Sequence, residues 1–328
     1  MKHCVIIGSG LGGLSCGVIL AKNGYRVTVL EQGAQIGGCL QCFHRDGAKF
    51  ETGMHFIGSA DKGQTLHRLM HYLELDGLPL SRLDLHGYDV ISLAGEQFRF
   101  ANGREPFIEE LARSFPAEKD NLARYFDLVE SIASASSLHS LKQTDGNDTL
   151  NTEYQIRSID DVISSLTADT TLRNVLVGNL PLYAAERGRT PFATHAFITD
   201  FYNQSSFRIP GGSDAIAFSL AKTLRKYGGD VKTHKKVTRI ICNNCRTTGV
   251  VTADEELITS DIIISSVHPA RLMELLGDTP LIRPAYKARL LNLPNTTGGF
   301  AVYMKFRPEK MPYINHNFYG YRTSSPSS

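Results

Sequence analysis

Three glycines near the start of the chain have the spacing of a phosphate-binding turn. Gly8, Gly10 and Gly13 follow directly after a short apolar run and precede residues with helical apolar spacing. In a strand–turn–helix unit the first glycine permits the tight turn, the second lets a pyrophosphate approach the backbone, and the third lets the helix pack closely on the strand. Free N–H groups at the helix start then face the phosphates. The spacing predicts a dinucleotide site.

The carboxylate that such a site needs is at Glu31. Residues Tyr25 to Leu30 have the composition of a second strand, and Glu31 closes it 23 residues after Gly8. A carboxylate at this position accepts a hydrogen bond from a ribose 2′-hydroxyl and disfavours a 2′-phosphate. The simpler alternative is a tight turn with an ordinary solvated acid at a strand end. Strand, glycines, helix, second strand and acid all agree, which favours the dinucleotide.

Four of the six cysteines lie in two C-x-x-C pairs, Cys39 with Cys42 and Cys242 with Cys245. The pairs are 200 residues apart, whereas zinc ribbons separate theirs by roughly 15 to 20 residues. We therefore expect reduced thiols and no metal site.

Charge and hydropathy exclude several classes of function. The 328 residues contain 35 Lys and Arg against 33 Asp and Glu, so a net charge of +2 gives no case for nucleic acid as a partner. The longest apolar runs are shorter than the roughly 18 residues that a membrane span needs. The N-terminus passes directly into the first strand and leaves no room for a signal peptide, so we expect a cytoplasmic protein.

Further blocks extend the glycine motif into a family resemblance. They are Gly37-Gly38 followed by Cys39 to Phe43, then Phe50 to Gly58, Phe207 to Ser213, Lys235 to Ile240, and Asp261 to Pro269. In this order the blocks resemble the flavin amine oxidase and phytoene desaturase superfamily, and within it the carotenoid isomerase and retinol saturase branch. The resemblance implies an α/β fold: a Rossmann-like FAD-binding domain of the glutathione-reductase type with an inserted α+β substrate domain.

The resemblance also implies FAD as the cofactor and assigns residues to it. Val237 corresponds to the position whose backbone holds the adenine side of FAD. The residues themselves indicate that Gly53 and Gly58 suit a backbone that approaches a flat ring, and the simpler alternative is a plain strand with bends. The expected cofactor-binding residues are Gly8, Ser9, Gly10, Gly12, Gly13, Glu31, Gln32, Gly38, Gly53, Met54, His55 and Val237.

We expect a discontinuous domain organisation. The FAD-binding domain takes residues 1–85 and 207–275, a mostly helical substrate domain takes 86–206, and 276–328 returns to the substrate domain. Relatives continue well beyond this point with a glycine-rich segment that covers the isoalloxazine ring. The expectation is therefore either a shortened gene product or a flavin site that is open on one side.

Local patterns predict particular elements. Apolar stripes at Phe107, Leu111 and Phe115, and at Leu122, Phe126 and Val129, indicate helices that face a core. Ser158 and Ser213 are candidate helix caps. Strands are predicted at 231–241, 249–252 and 297–306, and a polar loop at 144–149. The segments 180–183 and 194–197 suit either an apolar ligand pocket or a core with hydrogen-bonded Tyr183 and His195.

The resemblance implies an oxidoreductase acting on C=C or C–C bonds of an apolar isoprenoid, carotenoid-like or retinoid-like lipid. Hydride moves to or from flavin N5, and the reaction is saturation, desaturation or isomerisation. His55 and Tyr183 are the candidate catalytic proton donors. No second glycine motif follows a strand, so the electron donor or acceptor is unassigned.

Two other functions remain open. Gly37-Gly38-Cys39 is similar to the start of the redox motif of disulfide-reducing flavoproteins, although those enzymes space their cysteines by four residues and carry a second nucleotide fold. The GDP-dissociation inhibitors share the superfamily fold and hold a prenyl chain without redox chemistry, but have no reason to keep the glycines and Glu31.

One local basic excess stands out from the balanced charge. It consists of Lys222, Arg225, Lys226, Lys232, Lys235, Lys236 and Arg239. A solvated surface is the simpler interpretation, and peripheral contact with an anionic membrane is the alternative.

Overall fold

The computed structural model describes residues 1–141, 149–243, 246–307 and 309–326. Most of the predicted polar loop at 144–149, and also Cys245, lie outside the described residues.

The chain alternates strands and helices at both ends and is mainly helical in the middle. The strands are β1 His3–Ile7, β2 Arg26–Leu30, β3 Cys42–Arg45, β4 Ala48–Glu51, β5 Ile57–Gly58, β6 Ser81–Arg82, β7 Asp89–Leu93, β8 Glu96–Phe100, β9 Ser206–Arg208, β10 Asp230–Lys232, β11 Val237–Asn243, β12 Arg246–Thr252, β13 Leu257–Thr259, β14 Ile262–Ser265 and β15 Asn317–Tyr321. The α-helices are α1 Leu11–Lys22, α2 Thr65–Tyr72, α3 Arg104–Ser114, α4 Lys119–Ala135, α5 Ser137–Ser140, α6 Thr149–Tyr154, α7 Ile159–Leu166, α8 Thr170–Leu176, α9 Phe192–Gln204, α10 Asp214–Lys226, α11 Pro269–Leu276 and α12 Pro284–Leu291.

The described residues divide into two compact units, each built from several segments. The first unit comprises Met1–His55, Met70–Pro79 and Ile209–Asn295. The second comprises Phe56–Leu69, Leu80–Arg208 and Thr296–Ser328. The predicted FAD-binding segment 1–85 thus contributes residues to both units.

The first unit contains a parallel sheet in the order β10-β2-β1-β14. All five residues of β1 are buried, as is typical of a parallel strand covered on both faces. A three-stranded antiparallel sheet, β11-β12-β13, contributes Val237 and Val250 to a core that also contains Val5 and Leu30. This arrangement confirms the predicted α/β fold with a Rossmann-like domain.

The second unit packs helices around two small sheets, β15-β7-β8 and β5-β9-β6. Its core includes every residue of the two predicted apolar stripes, from Phe107 on α3 to Val129 on α4. The stripes are therefore core faces, as predicted.

Three predicted local features are wrong. Residues 297–306 form no strand, since none of the strands among the described residues pairs with them. This segment is also not packed into a core, because Phe300 is 94% exposed. The predicted strand 231–241 is divided, because His234 adopts a left-handed φ of 54° between β10 and β11. Ser213 has helical dihedral angles and does not cap α10; its hydroxyl donates to the Leu40 carbonyl at 3.0 Å.

Candidate functional site

The turn between β1 and α1 has the geometry that the glycine spacing predicts. Gly8 has φ +100° and donates its N–H to the Leu30 carbonyl at 2.9 Å, which fastens the turn to β2. A Cβ on Gly13 would lie 2.1 Å from the Gly8 carbonyl oxygen, so only glycine lets α1 start this close to the strand. The first turn of α1 therefore presents its unbonded N–H groups at the end of β1.

Glu31 is held in place by the loop that it faces. One carboxylate oxygen accepts hydrogen bonds from the Ser9 N–H at 3.1 Å and the Ser9 hydroxyl at 2.6 Å. The other oxygen accepts from the Gly33 N–H at 2.8 Å. An ionised carboxylate has about four acceptor positions, so one remains for a ligand hydroxyl.

A cleft of about 830 Å³ lies beside this turn, and all its lining residues belong to the first unit. Gly10 and Gly12 line it, and a Cβ on either would meet no atom within 4 Å. Open space therefore faces the backbone at the two glycines where a pyrophosphate would approach. The donor groups of α1 and the free acceptor position on Glu31 fit the ADP portion of FAD.

Most of the residues predicted to bind the cofactor are brought together at this cleft. Those that line it are Gly8, Ser9, Gly10, Gly12, Glu31, Gln32, Gly38, Met54 and Val237. Gly13 lies beneath the turn, and Gly53 packs against Cys39, whose carbonyl oxygen would be 2.9 Å from a Cβ there. His55 follows Met54 and is exposed outside the residues that line the cleft.

Four polar residues that were not predicted to bind the cofactor also line the cleft. They are Lys235, Ser266, His268 and Arg271. The last two belong to the start of α11, where the His268 ring accepts the Ala270 N–H at 3.2 Å and Pro269 occupies the first turn. A histidine–proline pair two residues after strand β14 is a helix-start signal that could have indicated a second helix N-terminus at the site.

The cysteines lie in different environments. Cys39 lines the cleft and is exposed, whereas Cys42 is buried with its sulfur 3.7 Å from the Ser213 hydroxyl. Burial, with Cys16 nearby, raises the pKa of the Cys4 thiol to about 11, which keeps it protonated. Among the described residues no group of three or more His, Cys, Asp or Glu could hold a metal ion.

Tyr183 belongs to a hydrogen-bonded chain in the core of the second unit. His195 is fully buried, and its ring nitrogens lie 2.8 Å from the hydroxyls of Tyr125 and Tyr183. Burial lowers the pKa of His195 to about 4, so the ring is neutral at pH 7 and donates to one tyrosine while accepting from the other. Of the two interpretations of this segment, the structure supports the hydrogen-bonded core.

The predicted basic excess is partly neutralised. Lys226 pairs with Glu74 at 2.7 Å, and Lys235 with Glu256 at 2.7 Å. Within the described ranges, no helix combines the length and hydropathy that crossing a membrane would require.

Comparisons with known proteins agree with this geometry. Residues 11–318 match the model of a family described as flavin-containing amine oxidoreductase. The all-trans-retinol 13,14-reductase of Rattus norvegicus is 29% identical over 346 aligned positions, which cover 97% of this chain and 56% of the relative. The 1-hydroxycarotenoid 3,4-desaturase of a Flavobacterium is 24% identical over 279 positions, covering 81% of this chain and 57% of the relative.

A solved structure supports the fold. A protein of Pyrococcus furiosus superposes with a TM-score of 0.66 at 20% identity, covering 89% of this chain and 66% of that one. The chain spans little more than half the length of the curated relatives that it matches.

Proposed function

Since the chain belongs to the flavin-containing amine oxidoreductase family, we propose that it is an FAD-dependent oxidoreductase acting on carbon–carbon bonds of an apolar lipid. The two relatives are named for reducing retinol and for desaturating a hydroxycarotenoid. A retinoid-like or carotenoid-like polyene is therefore the substrate class, and saturation, desaturation or isomerisation is the reaction.

The observation that carries the proposal is the cleft at the β1–α1 turn. The N-terminus of α1 and the backbone of Gly10 and Gly12 bind the pyrophosphate, and Glu31 accepts a ribose hydroxyl. Val237 contacts the adenine side, and Gly38 and Met54 line the same cleft. When bound, FAD supplies hydride exchange between flavin N5 and a substrate carbon, which needs little acid–base help at an unactivated carbon.

His55 and Tyr183 are our candidates for the proton that saturation of a double bond consumes. His55 is exposed next to the cleft residue Met54. The Tyr183 hydroxyl lies 2.8 Å from Nδ1 of neutral His195, which orients this hydroxyl.

The experiment is to purify the chain and examine its visible absorption. We expect a yellow protein that releases FAD on denaturation. Under anaerobic conditions an oxidisable polyene should bleach its visible absorption band, or, after chemical reduction of the flavin, a reducible polyene should restore the band. Mass spectrometry of the released material identifies both the cofactor and any co-purified lipid. A colourless protein that FAD cannot reconstitute contradicts the proposal and favours the lipid-binding alternative.

We also propose a cytoplasmic location and peripheral contact with a membrane. An apolar substrate has to be drawn from a lipid phase, which motivates the membrane contact. Sedimentation with anionic and neutral vesicles tests it, and equal absence from both pellets contradicts it.

A further inference from the structure

Helix α11 begins beside the glycine turn of the nucleotide cleft. Strand β14, which precedes it, pairs parallel with β1, so the two strands end at the same edge of the sheet. The Ser266 N–H donates to the Ile7 carbonyl at 3.0 Å, and the Ser266 hydroxyl lies 3.2 Å from the Gly8 carbonyl oxygen. These contacts fasten the connection between β14 and α11 to the turn, so the first turn of α11 lies at the cleft.

Two residues of α11 that are one helical turn apart line this cleft. They are Arg271 and Leu275, and residues at positions i and i+4 lie on the same face of a helix. Leu275 is buried in one core cluster with Leu30 and Val237, which line the cleft as well. Arg271 is thus placed beside an apolar floor, where the end of β2 and the start of β11 border the cleft.

The guanidinium of Arg271 keeps its flat faces available to a ligand. It donates from Nη1 to the carboxylate of Glu274 on the same helix, and both side chains are about half exposed. Such a hydrogen bond lies in the plane of the guanidinium, so it orients the group and leaves both faces open. Glu274 itself is not among the residues that line the cleft.

The other side of this floor is unsuited to a phosphate. Lys235 lines the cleft there, but its ammonium is engaged by Asp254 at 2.5 Å and Glu256 at 2.7 Å, whose hydrogen bonds raise the pKa of Lys235. A phosphate against this floor would lose its hydration and meet two carboxylates close by. A neutral flat base meets neither difficulty, so this part of the cleft fits a base.

We propose that Arg271 stacks its guanidinium on the adenine ring of the bound nucleotide, where the ring lies against Leu275 and Val237. Guanidinium planes are attracted to the π-face of aromatic rings, and nucleobases offer such a face. The proposal rests on the proposed function for the nucleotide itself. It adds a residue of α11 that binds the adenine end, whereas the N-terminus of α1 binds the pyrophosphate.

The experiment compares two ligands that share the base and differ in the phosphates. After extraction of any bound flavin, ADP is titrated into the purified full chain by calorimetry, and adenosine is measured by its competition with ADP. Arg271→Met keeps an unbranched side chain and removes the guanidinium. We expect it to weaken both ligands by the same factor, at least about 5-fold, because contact with the base is common to both.

Arg271→Lys separates the flat face of the side chain from its charge. It keeps one positive charge but presents a compact ammonium in place of the planar group, so it should bind adenosine less than about 2-fold more tightly than Arg271→Met does. Arg271 is half-exposed, so these substitutions leave the core intact, and melting temperatures of the variants verify that they fold.

Arg225→Met is the matched control. Arg225 is an exposed arginine on α10 of the same unit and does not line the cleft. Its removal should change the affinity for either ligand by less than about 2-fold, because solvent and salt screen an exposed charge outside the site.

Several outcomes overturn the stacking. A loss confined to ADP in Arg271→Met would place this side chain on the phosphates, and full affinity in Arg271→Lys would show that charge alone matters. Equal losses in Arg225→Met and Arg271→Met, no loss in Arg271→Met, or no binding of either ligand to the unmodified chain also contradict it.

Flavin colour and bleaching are not measured in these titrations, so the proposed function is judged separately. A colourless protein that cannot be reconstituted with FAD, but binds ADP and adenosine through Arg271, supports the stacking and contradicts the redox proposal. A yellow protein whose affinity for ADP is independent of Arg271 does the reverse.

Discussion

Gly13 and Gly10 in the first turn must be glycine for different physical reasons. At Gly13 the neighbouring carbonyl of Gly8 excludes any Cβ, so the requirement lies within the protein. At Gly10 the φ of −66° suits any residue and open space faces the Cα, so the requirement comes from the ligand. Glycine is thus required for folding at Gly13 and for ligand binding at Gly10.

Substitution separates these two requirements. We expect Gly10→Ala to change the free energy of unfolding of the cofactor-free protein by less than about 1 kcal/mol and to weaken FAD binding at least ~10-fold, because the added methyl enters the cleft. Gly13→Ala should cost about 3 kcal/mol or more of stability, since its Cβ would overlap backbone. Denaturant unfolding and FAD titration measure both quantities.

Gly77→Ala is the control, because Gly77 is exposed and a Cβ there meets no atom within 4 Å. If Gly10→Ala binds FAD as well as Gly77→Ala does, the cleft is not the pyrophosphate site.

The burial of Asp89 leads us to predict a specific pH dependence of its contribution to stability. It is fully buried and receives hydrogen bonds from the side chains of Asn317 at 2.9 Å and Asn179 at 3.2 Å. Burial raises its pKa from 3.8 to about 6, although these bonds act in the opposite direction. The folded state therefore binds this proton more tightly than the unfolded state. The contribution of Asp89 to stability is fully present below about pH 4 and is lost as the pH rises through about 6.

The loss attributable to Asp89 should be about 3 kcal/mol, because each pKa unit corresponds to about 1.4 kcal/mol. Urea unfolding of the unmodified chain and of Asp89→Asn at several pH values measures it as a difference. A stability difference between the two proteins that does not change between pH 4 and pH 7 contradicts the assignment.

At the scale of elements, the sequence predicts best where a local pattern and tertiary packing agree. The apolar run of β1 and the stripes of α3 and α4 could be predicted because burial imposes a period on the residues themselves. Residues 297–306 have a strand pattern, but strand formation depends on a partner elsewhere in space, which local sequence does not specify. Lys235 and Arg271 could not be predicted as residues of the cofactor cleft for a similar reason, since the fold brings them there from distant segments.

The two candidate caps show the same distinction. Ser158 accepts the Asp161 N–H at 3.1 Å while Asp161 accepts the Ser158 N–H, so α7 begins with a complete capping box. Ser213 has the right residue type, but its hydroxyl is used by the Leu40 carbonyl and its N–H by Glu51. Residue type permits a cap, and competing tertiary partners decide whether it forms.

Ser158→Ala should therefore lower the free energy of unfolding by about 1 kcal/mol, because the start of α7 loses an acceptor. Ser158→Asp keeps an acceptor at the same position and should restore most of the difference. Chemical denaturation of the three proteins tests this, and an alanine variant as stable as the aspartate variant contradicts the role of the cap.

At the scale of the whole molecule, the cofactor cleft belongs to one unit although its residues come from both ends of the chain. Gly8 and Glu31 lie near the start, whereas Val237, Ser266 and Arg271 follow more than 200 residues later. The intervening residues 80–208 belong to the second unit, and those of them that the structure describes contribute no lining residue. A ligand that fills only the nucleotide-binding part of the cleft should therefore slow amide hydrogen exchange in the first unit alone.

We expect ADP to slow amide hydrogen exchange in residues 8–13, 31–38, 235–237 and 266–271, and to leave α3 and α4 unchanged. Exchange measured by mass spectrometry with and without ADP tests this, with adenosine as a control that lacks the pyrophosphate and should protect residues 8–13 less. Protection confined to α3 and α4 would contradict the assignment of the nucleotide site to the first unit.

The parallel pairing of β1 with β14 also has a consequence for synthesis on the ribosome. β1 and β2 are translated first, but β14, which completes the sheet on the other side of β1, is added about 230 residues later. At typical elongation rates this delay is on the order of 10 to 50 seconds. During that interval the apolar edge of β1 has no native partner, so nascent chains should depend on ribosome-associated chaperones until Ile262 to Ser265 emerge.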